Sequence, residues 1–160
     1  MSGEGPAYTL LIAAHVLAAL VGFGTILLTA VYATMARRAP SEQTVQNYFR
    51  PGTNWPARSL YAVPVLGLML VKATNGTYDL AQGWIVASLA ISCLVIALAQ
   101  LVVWPGERTI GAALIGSGGA SGMTSAELKL ASSRVASAAV VIEIGFVVTV
   151  VLMVLKPGGP

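Results

Sequence analysis

GWIVASLAISCLVIALAQLVVW, residues 83–104, carries no charged residue and has a tryptophan near each end, Trp84 and Trp104. A helix needs about 20 apolar residues to cross the hydrocarbon of a bilayer. Tryptophans at the two ends of such a run fit the aromatic belts of the two interfaces. Pro105-Gly106 follows and reads as the stop. This stretch makes the protein a membrane helix protein, and the rest of the chain agrees with it.

Upstream, Ala7 to Ala36 is also free of Asp, Glu, Lys and Arg, and ends at Arg37, Arg38 and Pro40. It is too long for a signal-peptide core, and no basic residue precedes it, so a retained first helix is expected. Downstream, Thr124-Ser125-Ala126-Glu127 has the form of a capping box. It opens a helix that passes Arg134, becomes wholly apolar apart from Glu143, and ends at Lys156-Pro157.

A further segment lies between the first and the third. Arg58 and Lys72 bracket Ser59 to Val71, which is too short to span alone. With both basic side chains snorkelling, a helix over 56–77 spans, capped by Asn54 and kinked at Pro64. The alternative is a re-entrant segment. The expected fold is therefore all-α: one integral membrane domain over 1–160, a four-transmembrane-helix bundle with helices at about 7–36, 56–77, 83–104 and 124–156. Residues 39–56 read as a polar loop with Tyr48, Phe49 and Trp55 at the interface, and Gly116 to Gly122 as a flexible linker.

Composition supports lipid as the solvent. The 160 residues are 56% hydrophobic and 9% charged, against about a quarter charged in a soluble domain. The net charge of +3 comes from basic residues flanking apolar runs, which excludes nucleic acid as a partner. Arg37, Arg38, Arg50 and Arg58 fall on one side of the membrane, with Arg108, Lys129 and Arg134; Lys72 and Lys156 fall on the other. The positive-inside rule then makes loops 37–56 and 105–128 cytoplasmic and puts both termini on the non-cytoplasmic side, in a bacterial plasma membrane. The sequon Asn75-Gly76-Thr77 would face outward. Cys93 is the sole cysteine, forms no intramolecular disulfide, and reads as a small packed hydrophobe.

Two residues stand out as chemistry inside lipid. Glu143, in Val-Val-Ile-Glu-Ile-Gly, must be protonated, paired or turned to a wet cavity. It suits a proton- or ion-coupled site, or pairing with a partner. His15 is the only histidine and suits a haem ligand, a proton carrier, or a neutral imidazole bonded across helices. Measured from the outer helix ends, His15 is about 12 Å deep and Glu143 about 19 Å, so the two are candidates to pair. Gln100 reads as a helix–helix hydrogen bond. Small residues at helical spacing, Ala18/Gly22, Ser88/Ser92 and Ser133/Ser137 with Gly145, read as packing faces within the chain or between subunits. The sequence offers no Cys/His cluster for zinc and no phosphate-binding glycine loop.

Leu11-Ile12-Ala13-Ala14-His15-Val16-Leu17 with Gly22-Phe23-Gly24, and the short hairpin ending at Gly83-Trp84, resemble a family of small bacterial predicted integral membrane proteins of unknown function. That resemblance implies a four-helix bundle. His15 early in helix one is also similar to four-helix haem b membrane proteins of the protoporphyrinogen-oxidase and copper-resistance types, with no second histidine here to complete a ligand pair. Four helices around a membrane glutamate resemble the small multidrug transporters, although their glutamate lies in the first helix. Three functions follow as expectations: a non-catalytic subunit or accessory protein of a larger membrane complex, respiratory or redox; a haem b redox protein using His15; and a proton-coupled transporter using Glu143. The first requires the fewest special residues, its partners being lipid and other membrane subunits or further copies of itself.

Overall fold

The computed structural model describes residues 5–74, 76–116 and 124–157. Among these, every regular element is helical. They are α1 (Pro6–Arg38), α2 (Gln43–Tyr48), α3 (Trp55–Arg58), a 3₁₀ turn (Ser59–Tyr61), α4 (Ala62–Ala73), α5 (Gly83–Leu98), a π-helical turn (Ala99–Val103), α6 (Trp104–Gly116) and α7 (Ser125–Leu155). Among the described residues, three helices are long and apolar enough to cross a membrane: Pro6–Arg38, Gly83–Leu114 and Ser125–Leu155. The linker expected at 116–122 lies outside the described residues beyond Gly116, as does Asn75 of the sequon.

Two of these spans begin and end as the residues dictate. α1 closes on Arg37 and Arg38. At the start of α7, the Thr124 amide donates to Glu127 Oε2 at 2.7 Å and the Glu127 amide donates to Thr124 Oγ1 at 3.3 Å. This is the reciprocal satisfaction of orphan donors that defines a capping box.

The third span differs from expectation. The helix does not stop at Pro105-Gly106 but continues to Gly116. Proline has no N–H to offer the Leu101 carbonyl and its ring crowds that carbonyl. The backbone meets this with the wider π turn at Ala99–Val103 and goes on. Trp84 and Trp104 are not lipid-facing belt residues either: both are buried, whereas Trp55 is 75% exposed. Cys93 is exposed rather than packed.

Residues 55–73 are helical without a break, and the irregularity lies before Pro64 rather than at it. Pro64 deprives the Leu60 carbonyl of its usual donor four residues on, and Ser59–Tyr61 tightens into a 3₁₀ turn. Between α1 and α3, the expected loop contains a helix, α2. Val45 and Phe49, four residues apart, are both buried, so Phe49 is a core residue rather than an interface anchor.

The chain divides into two compact units. Unit 1 comprises the chain up to Thr25, Trp55–Ile96, and Ile144 onward. Its core holds Phe23, Ala57, Leu60, Val63, Ile85 and Val95. Phe23 and Phe146 stack with ring centroids 4.4 Å apart. The Ala18/Gly22 pair is the face on which the 3₁₀ turn docks. Ser59 Oγ reaches the Ala18 carbonyl at 3.0 Å, and a Cβ on Gly22 would lie 2.9 Å from Leu60. Gly145 in the same way receives Val95, at 3.0 Å from where its Cβ would be. These are packing contacts of the small-residue kind.

Unit 2 comprises Ile26–Asn54 and Ala97–Glu143. Its core holds Ile26, Val45, Val103, Ile110, Val135 and Ile142. Two glycines of α6 set the packing. Gly106 lies against the Val135 side chain, and Gly111 lies against the Phe49 carbonyl. The glycine first read as a helix stop is thus a close-approach residue. On α7 the buried stripe is Ser132, Val135, Ala138, Ala139 and Ile142, whereas Ser137 and Val141 are exposed.

Both units carry large apolar side chains on their surfaces. Leu101 in unit 2 and Val154 in unit 1 are each 74% exposed. In water such a side chain forgoes about 1.5–3 kcal/mol of burial. Lipid removes that deficit, so these surfaces suit a bilayer.

Candidate functional site

Unit 1 forms an open-sided cavity of about 330 Å³. α1 contributes Tyr8, Ile12 and His15; α4 contributes Val63, Gly67 and Leu68; α5 contributes Ile85, Ser88 and Ser92. Tyr78, Trp84 and Lys156 complete it. The walls are apolar with a few polar groups, the usual make-up of a small-molecule site.

His15 sits where Gly67 leaves room for it. A Cβ on Gly67 would lie 3.3 Å from His15 Cε1 and 3.8 Å from Nδ1. The imidazole lies beside the Val63 backbone, and its Nδ1 is buried with no hydrogen-bond partner.

The two serines predicted to share a face do so on the cavity wall, and each satisfies itself. Ser88 Oγ donates to the Trp84 carbonyl at 2.7 Å, and Ser92 Oγ to the Ser88 carbonyl at 2.8 Å. This back-bonding leaves the wall less polar than its composition suggests. Lys156 and Tyr78 lie together. Lys156 Nζ donates to the Tyr78 hydroxyl at 2.6 Å and stands 4.7 Å from the ring centroid. Tyr78 meets Trp84 edge-on at 5.6 Å, and Trp84 Nε1 donates to Gln82 Oε1 at 3.1 Å.

Unit 2 carries a different polar group of residues, centred on Glu107. Its Oε1 accepts from Thr29 Oγ1 at 2.7 Å and from Asn54 Nδ2 at 3.1 Å. Thr29 Oγ1 lies 2.7 Å from the Tyr48 hydroxyl, and Tyr48 stacks on Tyr32 with centroids 4.2 Å apart. Burial pushes the Tyr48 phenol above its usual pKa, with its hydrogen bonds to Thr29 and Asn54 acting against that shift. Asn54, the residue before α3, donates its side-chain amide to Glu107.

The chain matches, over residues 9–157, the family described as "Predicted integral membrane protein (DUF2269)". The chain belongs to this family. It is an integral membrane protein of a family whose function is unknown, as the resemblance in helix one implied. No curated protein and no solved structure matches it.

Of the two site residues expected from sequence, His15 lines the cavity of unit 1 and Glu143 is the last residue of unit 2. Glu143 is half-buried on α7, and its Oε1 is buried without a hydrogen-bond partner. Sequence reasoning missed the Lys156–Tyr78 pair and the whole Glu107 group. In the sequence Lys156 reads as a helix stop and as a basic residue of the outer side, and Glu107 beside Arg108 gives no signal. The Val45/Phe49 spacing was a usable signal for α2, and with it for Tyr48. Nothing in the spacing of Thr29 and Glu107, 78 residues apart, announces their contact.

Proposed function

We propose that the protein is a non-catalytic, four-span membrane protein that binds a small lipophilic molecule in the His15 cavity, as an accessory component of a larger membrane assembly. The observation that carries the binding role is the 330 Å³ cavity itself, with a buried imidazole nitrogen left unpartnered at its wall. The cavity is open on one side and its walls are mostly apolar, so it can take up a lipophilic molecule.

The fourth span in this reading is 55–73, about 28 Å of continuous helix at 1.5 Å per residue, close to the roughly 30 Å of bilayer hydrocarbon. With the basic residues counted as above, the termini lie on the non-cytoplasmic side of a bacterial plasma membrane. Attachment to a larger assembly is supported by the small Ser137 and the apolar Val141, one helical turn apart and both exposed on α7 where another helix could approach.

Purification in gentle detergent, with solvent extraction and mass spectrometry of what is retained, tests both parts. A stoichiometric lipophilic molecule lost in His15→Leu supports the binding role. Retention of nothing by the wild type removes it. Stoichiometric partner subunits in the same preparation support the accessory role, and a lone chain removes that part.

His15 favours a second reading. Its buried Nδ1 has no hydrogen-bond partner and faces the cavity region, where a neutral imidazole could serve as a metal ligand. A haem b spectrum from the purified protein, abolished by His15→Ala, would promote it; a colourless protein ends it. Transport through Glu143 rests on its unpartnered oxygen and ends if Glu143→Gln leaves proton-coupled uptake unchanged.

A further inference from the structure

The cavity has a chemical polarity that its apolar walls conceal. At one end stand Tyr78 and Lys156, with Tyr8 from the first turn of α1 and Thr74 from the end of α4. At the other stand His15 and Val63. From Thr74 back to Val63 the helix rises about 16 Å. The space between is faced by Ile12, Leu68, Ile85 and Leu89.

The Tyr78–Lys156 end is a donor site. Lys156 Nζ spends one N–H on the Tyr78 oxygen, which leaves two ammonium hydrogens and the phenolic hydrogen for other acceptors. Among the described residues no carboxylate meets this ammonium. Lys156 also holds a backbone conformation that lysine rarely takes. Its φ is +42°, in the left-handed region at the end of α7 where glycine is the usual residue. A non-glycine residue kept there points to a need for its side chain.

We propose that the cavity binds a single-chain amphiphile with a carboxylate head, a long-chain fatty acid, its head on Lys156 and Tyr78 and its tail running toward His15. This rests on the cavity reading above and names the ligand class. One ammonium and one phenol match the single charge and two oxygens of a carboxylate, each donor taking one oxygen. The apolar walls, with Ser88 and Ser92 bonded back to their own helix, suit a saturated chain.

The test uses the full-length protein in detergent micelles and a brominated long-chain fatty acid, which quenches tryptophan at contact. Trp84 lines the cavity, so the quenching that disappears in Trp84→Phe reports the site. The matching brominated fatty alcohol is the control. The acid is expected to bind about tenfold tighter than the alcohol, the worth of a charged hydrogen bond. Lys156→Met is expected to remove the preference and Lys156→Arg to keep it. Tyr78→Phe, which keeps the ring and loses one donor, is expected to reduce it. Equal affinity for acid and alcohol in the wild type overturns the inference while leaving the cavity reading intact. So does a preference that survives Lys156→Met. Absence of Trp84-dependent quenching by either probe overturns both.

Discussion

Among the described residues, unit 1 holds an open cavity while unit 2 is drawn in around α6. In unit 1, helices leave a cavity of about 330 Å³. In unit 2, α6 is drawn so close that Gly106 meets Val135 and Gly111 meets a carbonyl, and a carboxylate is closed in by Thr29 and Asn54. Glycine allows close approach in both units, at Gly22 and Gly145 in unit 1 and at Gly106 and Gly111 in unit 2, and at Gly67 it leaves room for the His15 ring. Under the binding role proposed above, unit 1 is the part that holds a ligand, and the close approach at α6 serves packing within unit 2.

The largest effect that tests this contrast is expected at Gly111. A Cβ there meets the Phe49 backbone oxygen, and backbone cannot rotate away as a side chain can. Gly111→Ala should destabilise the protein by about 3 kcal/mol, at the upper end of overpacking, seen as lower thermal stability in detergent. A variant as stable as the wild type would mean that unit 2 is not close-packed at α6, and the comparison would fail. Gly106→Ala should lose less, because its obstacle is the Val135 side chain.

Next in size is the closed carboxylate. Glu107→Ala leaves Thr29 and Asn54 without their shared acceptor. Thr29 keeps its contact with Tyr48 and Asn54 is half-buried, so the loss is that of hydrogen bonds to a charged acceptor, about 1.5–3 kcal/mol. The same measurement of thermal stability checks it, with Ser92→Ala in unit 1 as the contrast. Ser92 bonds only to its own helix, so its loss should be below about 1 kcal/mol. Equal losses would show that the Glu107 group is no more structural than a serine on the cavity wall.

These contrasts mark what the sequence could and could not yield. The three long spans, the basic stop at Arg37-Arg38 and the Thr124/Glu127 box rest on local periodicity and local hydrogen bonds, and they were readable. His15 was readable as a residue needing a reason, since lipid makes any polar group costly. Its cavity was not, because it depends on Gly67 and on helices far apart in sequence. Pro105-Gly106 misled for the same cause. Locally it spells a stop, and only the packing of Gly106 on Val135, together with the π turn before it, shows why the helix goes on.

A smaller effect concerns protons at the Glu107 group. Tyr48 lies in α2, outside the spans, and its phenol titrates above its usual value of 10.0 because of burial. The folded state therefore holds this proton more tightly than the unfolded chain. The stability it contributes is present below the unfolded pKa and is lost as pH rises through the higher folded pKa. Ultraviolet titration of the wild type against Tyr48→Phe should show one tyrosine that ionises late, with thermal stability falling less steeply at alkaline pH in the variant. Identical curves would mean that Tyr48 is wetter than a closed unit allows.

The smallest effect is expected at Gly67, and it is the sharpest test of hollowness. A Cβ at 3.3 Å from His15 Cε1 is too close unless the ring gives by a few tenths of an ångström. Against that stands a gain, since alanine within a helix is favoured over glycine by about 0.8–1.0 kcal/mol. If the ring borders open space, it moves, and Gly67→Ala leaves thermal stability unchanged or slightly raised. If the ring is locked, the contact must be resolved by shifting α4, and stability falls by about 1–3 kcal/mol as at any overpacked site. The same substitution made on the protein saturated with the fatty acid proposed above as occupant should reverse the sign, because the space that received the ring is then filled. A Gly67→Ala variant that is destabilised equally with and without the occupant would show that unit 1 is as tightly packed as unit 2 around His15.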